Sequence, residues 1–126
     1  MNLNQITIPS LDLKRATEFY KKLGLTLIVD ALPRYVRFEC PDGDSTFSIH
    51  NVNQLPTGEG ISVYFEIEDL DYEVNILKEK GIAFTSEPED KPLFWREAHL
   101  KDPDGNQIIL FNAKENRKNP PWRIKE

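Results

Sequence analysis

One cysteine, one methionine and two histidines among 126 residues leave little room for several chemistries. Cys40 can close no disulfide within the chain and belongs to no Cys-x-x-Cys pattern, which excludes a disulfide scaffold, a zinc ribbon and a dithiol redox centre. It reads as a small buried strand residue rather than a nucleophile. No apolar run approaches the ~20 residues needed to span a bilayer. The opening Met1-Asn2-Leu3-Asn4-Gln5 lacks the basic and then apolar stretches of a secretory signal. The expected setting is therefore the cytoplasm, without a membrane partner. Positive charge is also in deficit: 16 Lys and Arg stand against 21 Asp and Glu, for a net charge of −5. That is the wrong sign for covering phosphates, so no nucleic acid is expected as a partner.

What is present is an ordinary globular balance, 39% hydrophobic and 29% charged, in a chain of single-domain length. It repeats itself. Asp12-Leu13 opens one helical pattern and Asp69-Leu70 opens another 57 positions later; Gly24-Leu25 and Gly81-Ile82 close them at the same offset. Leu13, Ala16, Phe19, Tyr20 and Leu23 fall on one helical stripe, and Leu70, Val74 and Leu77 on the other. Asp12 and Asp69 suit helix N-caps, and the glycines suit left-handed ends. Elsewhere the period is two. Ile6 and Ile8, Val36 and Phe38, and Val63, Phe65 and Ile67 alternate with polar neighbours, as strands with one apolar face do. Pro41-Asp42-Gly43 and Pro103-Asp104-Gly105 read as hairpin turns. They lie 62 positions apart, so the second half carries about five extra residues, placed around Glu87–Pro92.

Each half thus reads strand, helix, strand, strand, strand. The expected fold is α+β: two βαβββ modules, about residues 3–52 and 61–112, in a single domain spanning 1–126 with a tail at 113–126. The modules would form a curved, partly open mixed sheet with the helices on its convex side. The polar member of every alternation would line a concave groove suited to a ligand.

The doubled unit, the helix end Phe19-Tyr20-Lys21-Lys22-Leu23-Gly24-Leu25 and the turn Asp102-Pro103-Asp104-Gly105-Asn106 together resemble the vicinal oxygen chelate superfamily. This group holds glyoxalase I, bleomycin- and fosfomycin-resistance proteins and extradiol dioxygenases. In its enzymes the resemblance implies a divalent metal held by His or Gln from the first strand, and Glu from the last strand, of each half. The matching positions here are Gln5, then Phe47 or Ser48, then Ser62 and Ile109. The second is Phe47 if the two hairpins are in register, and Ser48 if the alternation of Phe47 with Ile49 marks the buried side. Only Gln5 is a ligand type, whereas a catalytic metal needs about three protein donors. The expectation is no metal and no cofactor.

If Phe47 and Ile49, and Ala98 and Leu100, face the helices, the other side carries His50 and His99 with Glu39, Glu66, Glu97, Tyr35, Tyr64, Trp95 and Arg37. With Gln5 and Ser62 these form the candidate ligand-binding set. Aromatic walls and carboxylates suit a flat, neutral or cationic molecule. The competing reading makes His50 and His99 solvent-exposed strand residues and pairs Glu97 with Arg96 or Lys101. A relocated metal site of His50, His99 and a glutamate has no supporting spacing, and Ser48 and Ser62 lack a nucleophile-elbow context. After Pro120-Pro121, Trp122 is expected to dock, on its own sheet or on a partner subunit.

Three functions follow. The first is a metal-independent protein, similar to the glyoxalase and bleomycin-resistance group, that binds a small organic molecule. The second is a lyase or isomerase using His50 or His99 as base, with Glu66 or Glu97 assisting. The third is a protein-interaction domain. Whether the chain is an enzyme stays open, and a homodimer is implied by the resemblance alone.

Overall fold

The computed structural model describes residues 1–92 and 94–125. In chain order the elements are β1 (Gln5–Ser10), α1 (Leu13–Leu23), β2 (Thr26–Ala31), β3 (Tyr35–Glu39), β4 (Thr46–Asn51), β5 (Ser62–Glu66), α2 (Leu70–Glu79), β6 (Ser86–Lys91), β7 (Trp95–Lys101) and β8 (Gln107–Asn112). A short 3-10 helix follows at Lys114–Arg117. This is the α+β class with two βαβββ modules that the repeat predicts. No helix among the described residues is long and apolar enough to cross a membrane.

The chain divides into two compact units, one of Met1–Gly60 with Asp102–Asn106, the other of Ile61–Lys101 with Gln107–Glu126. In the first, β1 runs parallel to β4, and β3 and β2 extend the sheet antiparallel, in the order β1-β4-β3-β2. Ile8, Val36, Phe38, Phe47 and Ile49 are buried together with Leu13, Ala16 and Tyr20 of α1. The Tyr20 ring lies 4.9 Å from Phe47 and 6.0 Å from Phe38, within the range of favourable aromatic pairs. Asp12 caps α1 by accepting from the Arg15 N–H, and Gly24 closes it at φ 117°.

The second unit repeats the order as β5-β8-β7-β6. Leu70, Val74 and Leu77 of α2 are buried with Ala98, Leu100, Ile108 and Leu110. Here the capping expectation fails: the Asp69 side chain makes no cap hydrogen bond. Asp71 and Glu73 in the first turn supply the negative charge that a helix start favours.

The segment expected as an insertion, 87–92, is instead largely strand β6. β6 begins 60 positions after β2, so three of the extra residues precede it, and β7 is two residues longer than β3. Ser-Glu-Pro-Glu-Asp-Lys has poor strand propensity, yet it pairs with β7 at the sheet edge, where Pro88 removes no necessary donor. The register shift between Ser86 and Glu89 accommodates it. Cys40 is also misplaced by the sequence reading. It follows β3 rather than lying in it and is half-buried, where burial and Asp42 raise its thiol pKa and keep it protonated.

The turn 102–106 does more than reverse the chain. It belongs to the first unit, where buried Asp102 accepts from the Tyr20 hydroxyl at 2.6 Å, from the Asp104 and Asn106 N–H groups and from the Asn106 amide. Asn106 also donates to the Pro9 carbonyl, and the Leu11 N–H donates to Asp104 Oδ1 at 2.8 Å. Burial first, and the Asp102 carboxylate second, push the Tyr20 phenol far above its ordinary pKa. A raised pKa contributes stability that is fully present below the unfolded value and lost as pH rises past it. Tyr20→Phe is expected to cost about 1.5–3 kcal/mol at neutral pH. Above about pH 10 the gap between the two proteins should narrow, because only the parent carries this phenol; urea unfolding at several pH values measures both.

Candidate functional site

Directly paired residues share a sheet face, so the registers decide where each candidate lies. In the first sheet Gln5 opposes Thr46, Thr7 opposes Ser48, and Ser48 and His50 oppose Arg37 and Tyr35. Gln5, Tyr35, Arg37, Ser48 and His50, with Glu39, therefore turn away from α1, while Phe47 is buried against Tyr20. That settles the open alternative in favour of Ser48. The side chains of this face are tied to one another. Arg37 Nε donates to Ser48 Oγ at 2.9 Å and its guanidinium sits 5.5 Å from the Tyr35 ring. Gln5 donates to the Ile6 carbonyl and Thr7 Oγ1 and accepts from Thr46. His50 and Glu39 are exposed.

In the second sheet Ser62 opposes Gln107, Tyr64 opposes Ile109, and Glu66 opposes Phe111; Ile109 and Phe111 in turn oppose His99 and Glu97. Ser62, Tyr64, Glu66, Trp95, Glu97 and His99 thus share the face turned away from α2, as expected. The face is not lined by polar residues alone, which corrects the sequence reading. Ile109, Phe111 and Ala113 lie on it and are buried, with Trp95 packed against them. The run Ile108-Ile109-Leu110-Phe111 is apolar on both sides of the sheet, as in a strand covered on both faces.

Trp95 stacks on Phe111 at 4.7 Å and 15°, and Tyr64 meets both rings edge-on at 5.8 and 5.6 Å. Tyr64 keeps 47% of its surface exposed, so the cluster presents an aromatic surface to solvent. Beside it, His99 Nε2 lies 2.5 Å from Glu97 Oε2, and the Glu97 side chain is only 14% exposed. Glu97 is therefore the partner of His99, not of Arg96 or Lys101. Arg96 belongs to the helix side, where Nε and Nη2 each lie 2.9 Å from Asp71 and Nη1 lies 3.0 Å from Asp90. That contact holds the Asp71 carboxyl below its usual pKa. The Glu97–His99 pair, spaced two apart on a strand, had a signal in the sequence that the charge-balance reading passed over.

Residues 2–110 match the Glyoxalase/Bleomycin resistance protein/Dioxygenase superfamily. The chain belongs to this superfamily. An uncharacterized protein of Bacillus subtilis (strain 168), YraH, is 30% identical over 127 aligned positions, covering 88% of this chain and 98% of the relative. Among solved structures, a glyoxalase/bleomycin resistance protein/dioxygenase from Nocardioides has a TM-score of 0.79 at 25% identity, over 99% of this chain and 90% of that one. A lactoylglutathione lyase from Agrobacterium tumefaciens has a TM-score of 0.76 at 17% identity, over 98% and 97%, which is likeness of fold.

The metal site that the superfamily resemblance implies does not fit these residues. Ile109 has no donor atom, Ser48 is engaged by Arg37, Ser62 donates to Gln107 at 3.4 Å, and the Gln5 amide oxygen accepts from Thr46. Two hydroxyls, one amide and an alkyl group are a poor set for zinc or another catalytic divalent ion.

The aromatic cluster makes a prediction about its own support. Phe111→Ala, which removes a buried ring, should cost about 3–5 kcal/mol. Tyr64→Ala, at a half-exposed edge-on ring, should cost about 1 kcal/mol. Urea unfolding ranks the two, and near-ultraviolet circular dichroism should change in both.

Proposed function

We propose that the chain binds a small, flat organic molecule on the face of the second sheet turned away from α2, without the divalent metal of its enzymatic relatives. The observation that carries this reading is the exposed Tyr64 ring set against the Trp95–Phe111 stack, with Glu97 held beside it. A planar ligand would stack on Tyr64, and Glu66 and Glu97 favour a neutral or cationic group over a phosphorylated one. Ser62 lies on the same face and belongs to the proposed ligand-binding set; Gln5, Tyr35, Arg37 and His50 share the corresponding face of the first sheet. Binding without turnover, which sequesters the ligand, needs nothing else. The cytoplasm and a homodimer complete the proposal; two of these chains would give twice the 14.6 kDa mass in sedimentation.

A second reading, a lyase or isomerase, is favoured by the Glu97–His99 contact. Glu97 fixes the imidazole through Nε2 and leaves Nδ1, which makes no hydrogen bond among the described residues, to take a proton beside a substrate carbonyl. His50, exposed and without a carboxylate partner among the described residues, does not have that support.

Two measurements test the proposal. Elemental analysis of protein purified without chelator should find far less than one divalent ion per chain; one tightly held ion per chain would overturn the metal-independent reading. A thermal-shift screen of planar aromatic amines should find a binder whose affinity falls about tenfold or more in Tyr64→Ala. A binder unaffected by Tyr64→Ala would place the site elsewhere. Turnover of that binder that disappears in His99→Asn would move the assignment to the second reading.

A further inference from the structure

Within the second unit, where the β6–β7 hairpin approaches the end of β8, there is a cavity of about 450 Å³, within the usual range for small-molecule sites. Phe94 and Trp95 form its apolar wall. The Phe94 ring stacks on Trp122 of the tail at 5.6 Å and 30°, so Trp122 meets a residue between β6 and β7 rather than the sheet expected, and it stays half exposed. Lys114 and Asn116 of the 3-10 helix line it as well.

The charges around the cavity are unevenly matched. Arg96 is satisfied by Asp71 and Asp90, and Lys91 by Glu89. Lys114 makes no ion pair among the described residues, and the Asn116 side chain makes no hydrogen bond among them. The Asn112 amide is already spent on the Ile67 and Glu68 carbonyls. The free donors lining the cavity are thus an ammonium and an amide, in a cavity that also has an aromatic wall. Backbone conformation points to the same place. Phe94 at φ 62° and Lys114 at φ 49° are the only non-glycine residues with positive φ among those described, and both line this cavity. Such a conformation is unfavourable for a bulky side chain and clusters at ligand sites.

We propose that this cavity binds a small planar aromatic carboxylate, its ring against Phe94 and Trp95 and its carboxylate on Lys114 and Asn116. Charge-assisted contact to the ammonium provides orientation, and the ring provides apolar burial. The site shares Trp95 with the Tyr64 surface but takes its charge recognition from Lys114 and Asn116, so it stands whether or not that surface binds a ligand.

The test is an NMR titration of the full ¹⁵N-labelled chain with benzoate, with benzamide as the uncharged control and cyclohexanecarboxylate as the non-aromatic one. Benzoate should produce saturable shifts at Phe94, Lys114 and the Asn116 side-chain amide, with both controls about tenfold weaker or more. Lys114→Gln and Asn116→Asp should each weaken benzoate by a similar factor while keeping the dispersion of a folded chain. Absence of saturation at concentrations up to about 20 mM, equal binding of benzamide, or shifts confined to Tyr64, Glu97 and His99 would each overturn the assignment.

Discussion

The burial of Ala98, Leu100, Ile108 and Leu110 beneath α2 constrains everything the second unit can present on its other face. A strand alternates sides at every residue, so once Ala98 and Leu100 point inward, Trp95, Glu97 and His99 have no choice but to point outward. Pairing with β8 then brings Glu97 and Phe111 side by side, and pairing of β8 with β5 adds Tyr64 and Glu66. A slip of β7 by one residue would bury Glu97 and His99 and expose Ala98 and Leu100. The hydrophobic demand of the core thereby fixes the chemistry of the opposite surface.

A similar economy governs the first unit. Tyr20 contributes its ring to the core between Phe38 and Phe47 and its hydroxyl to the Asp102 carboxylate, so one side chain serves both packing and the anchoring of the turn. Asp102 is a buried charge that is tolerated because four donors converge on it. The Asp-Pro-Asp-Gly-Asn motif is therefore explained by hydrogen-bond satisfaction as much as by turn geometry.

The helices and most strands were legible in the sequence because their apolar periods are unambiguous, and the 57-residue repeat made the module order legible as well. What escaped has physical causes. β6 is built from residues with low strand propensity and owes its conformation to its neighbour β7, information that lies elsewhere in the chain. Ile109 and Phe111 break the polar alternation because β8 is covered on both faces, which a short apolar run does not reveal. The choice between Phe47 and Ser48 depended on the length of one hairpin turn, and only the pairing of β4 with β1 resolves it. The sheet face that each candidate residue takes was legible by alternation, but their partners, Glu97 for His99 and Ser48 for Arg37, were not.

Superfamily membership supplies the scaffold, and this chain's own residues decide what the scaffold can do. Where the enzymes of the group are expected to place metal ligands, the chain has amide, hydroxyl and alkyl groups, and where it is richest in chemistry it has stacked rings beside a carboxylate-imidazole pair. The central claim is the facing of β7, and through-space NMR of the aromatic protons tests it most directly. The account predicts cross-peaks from the Trp95 ring to Tyr64 and Phe111. Cross-peaks from the Trp95 ring to Val74 and Leu77 on α2 instead would contradict it.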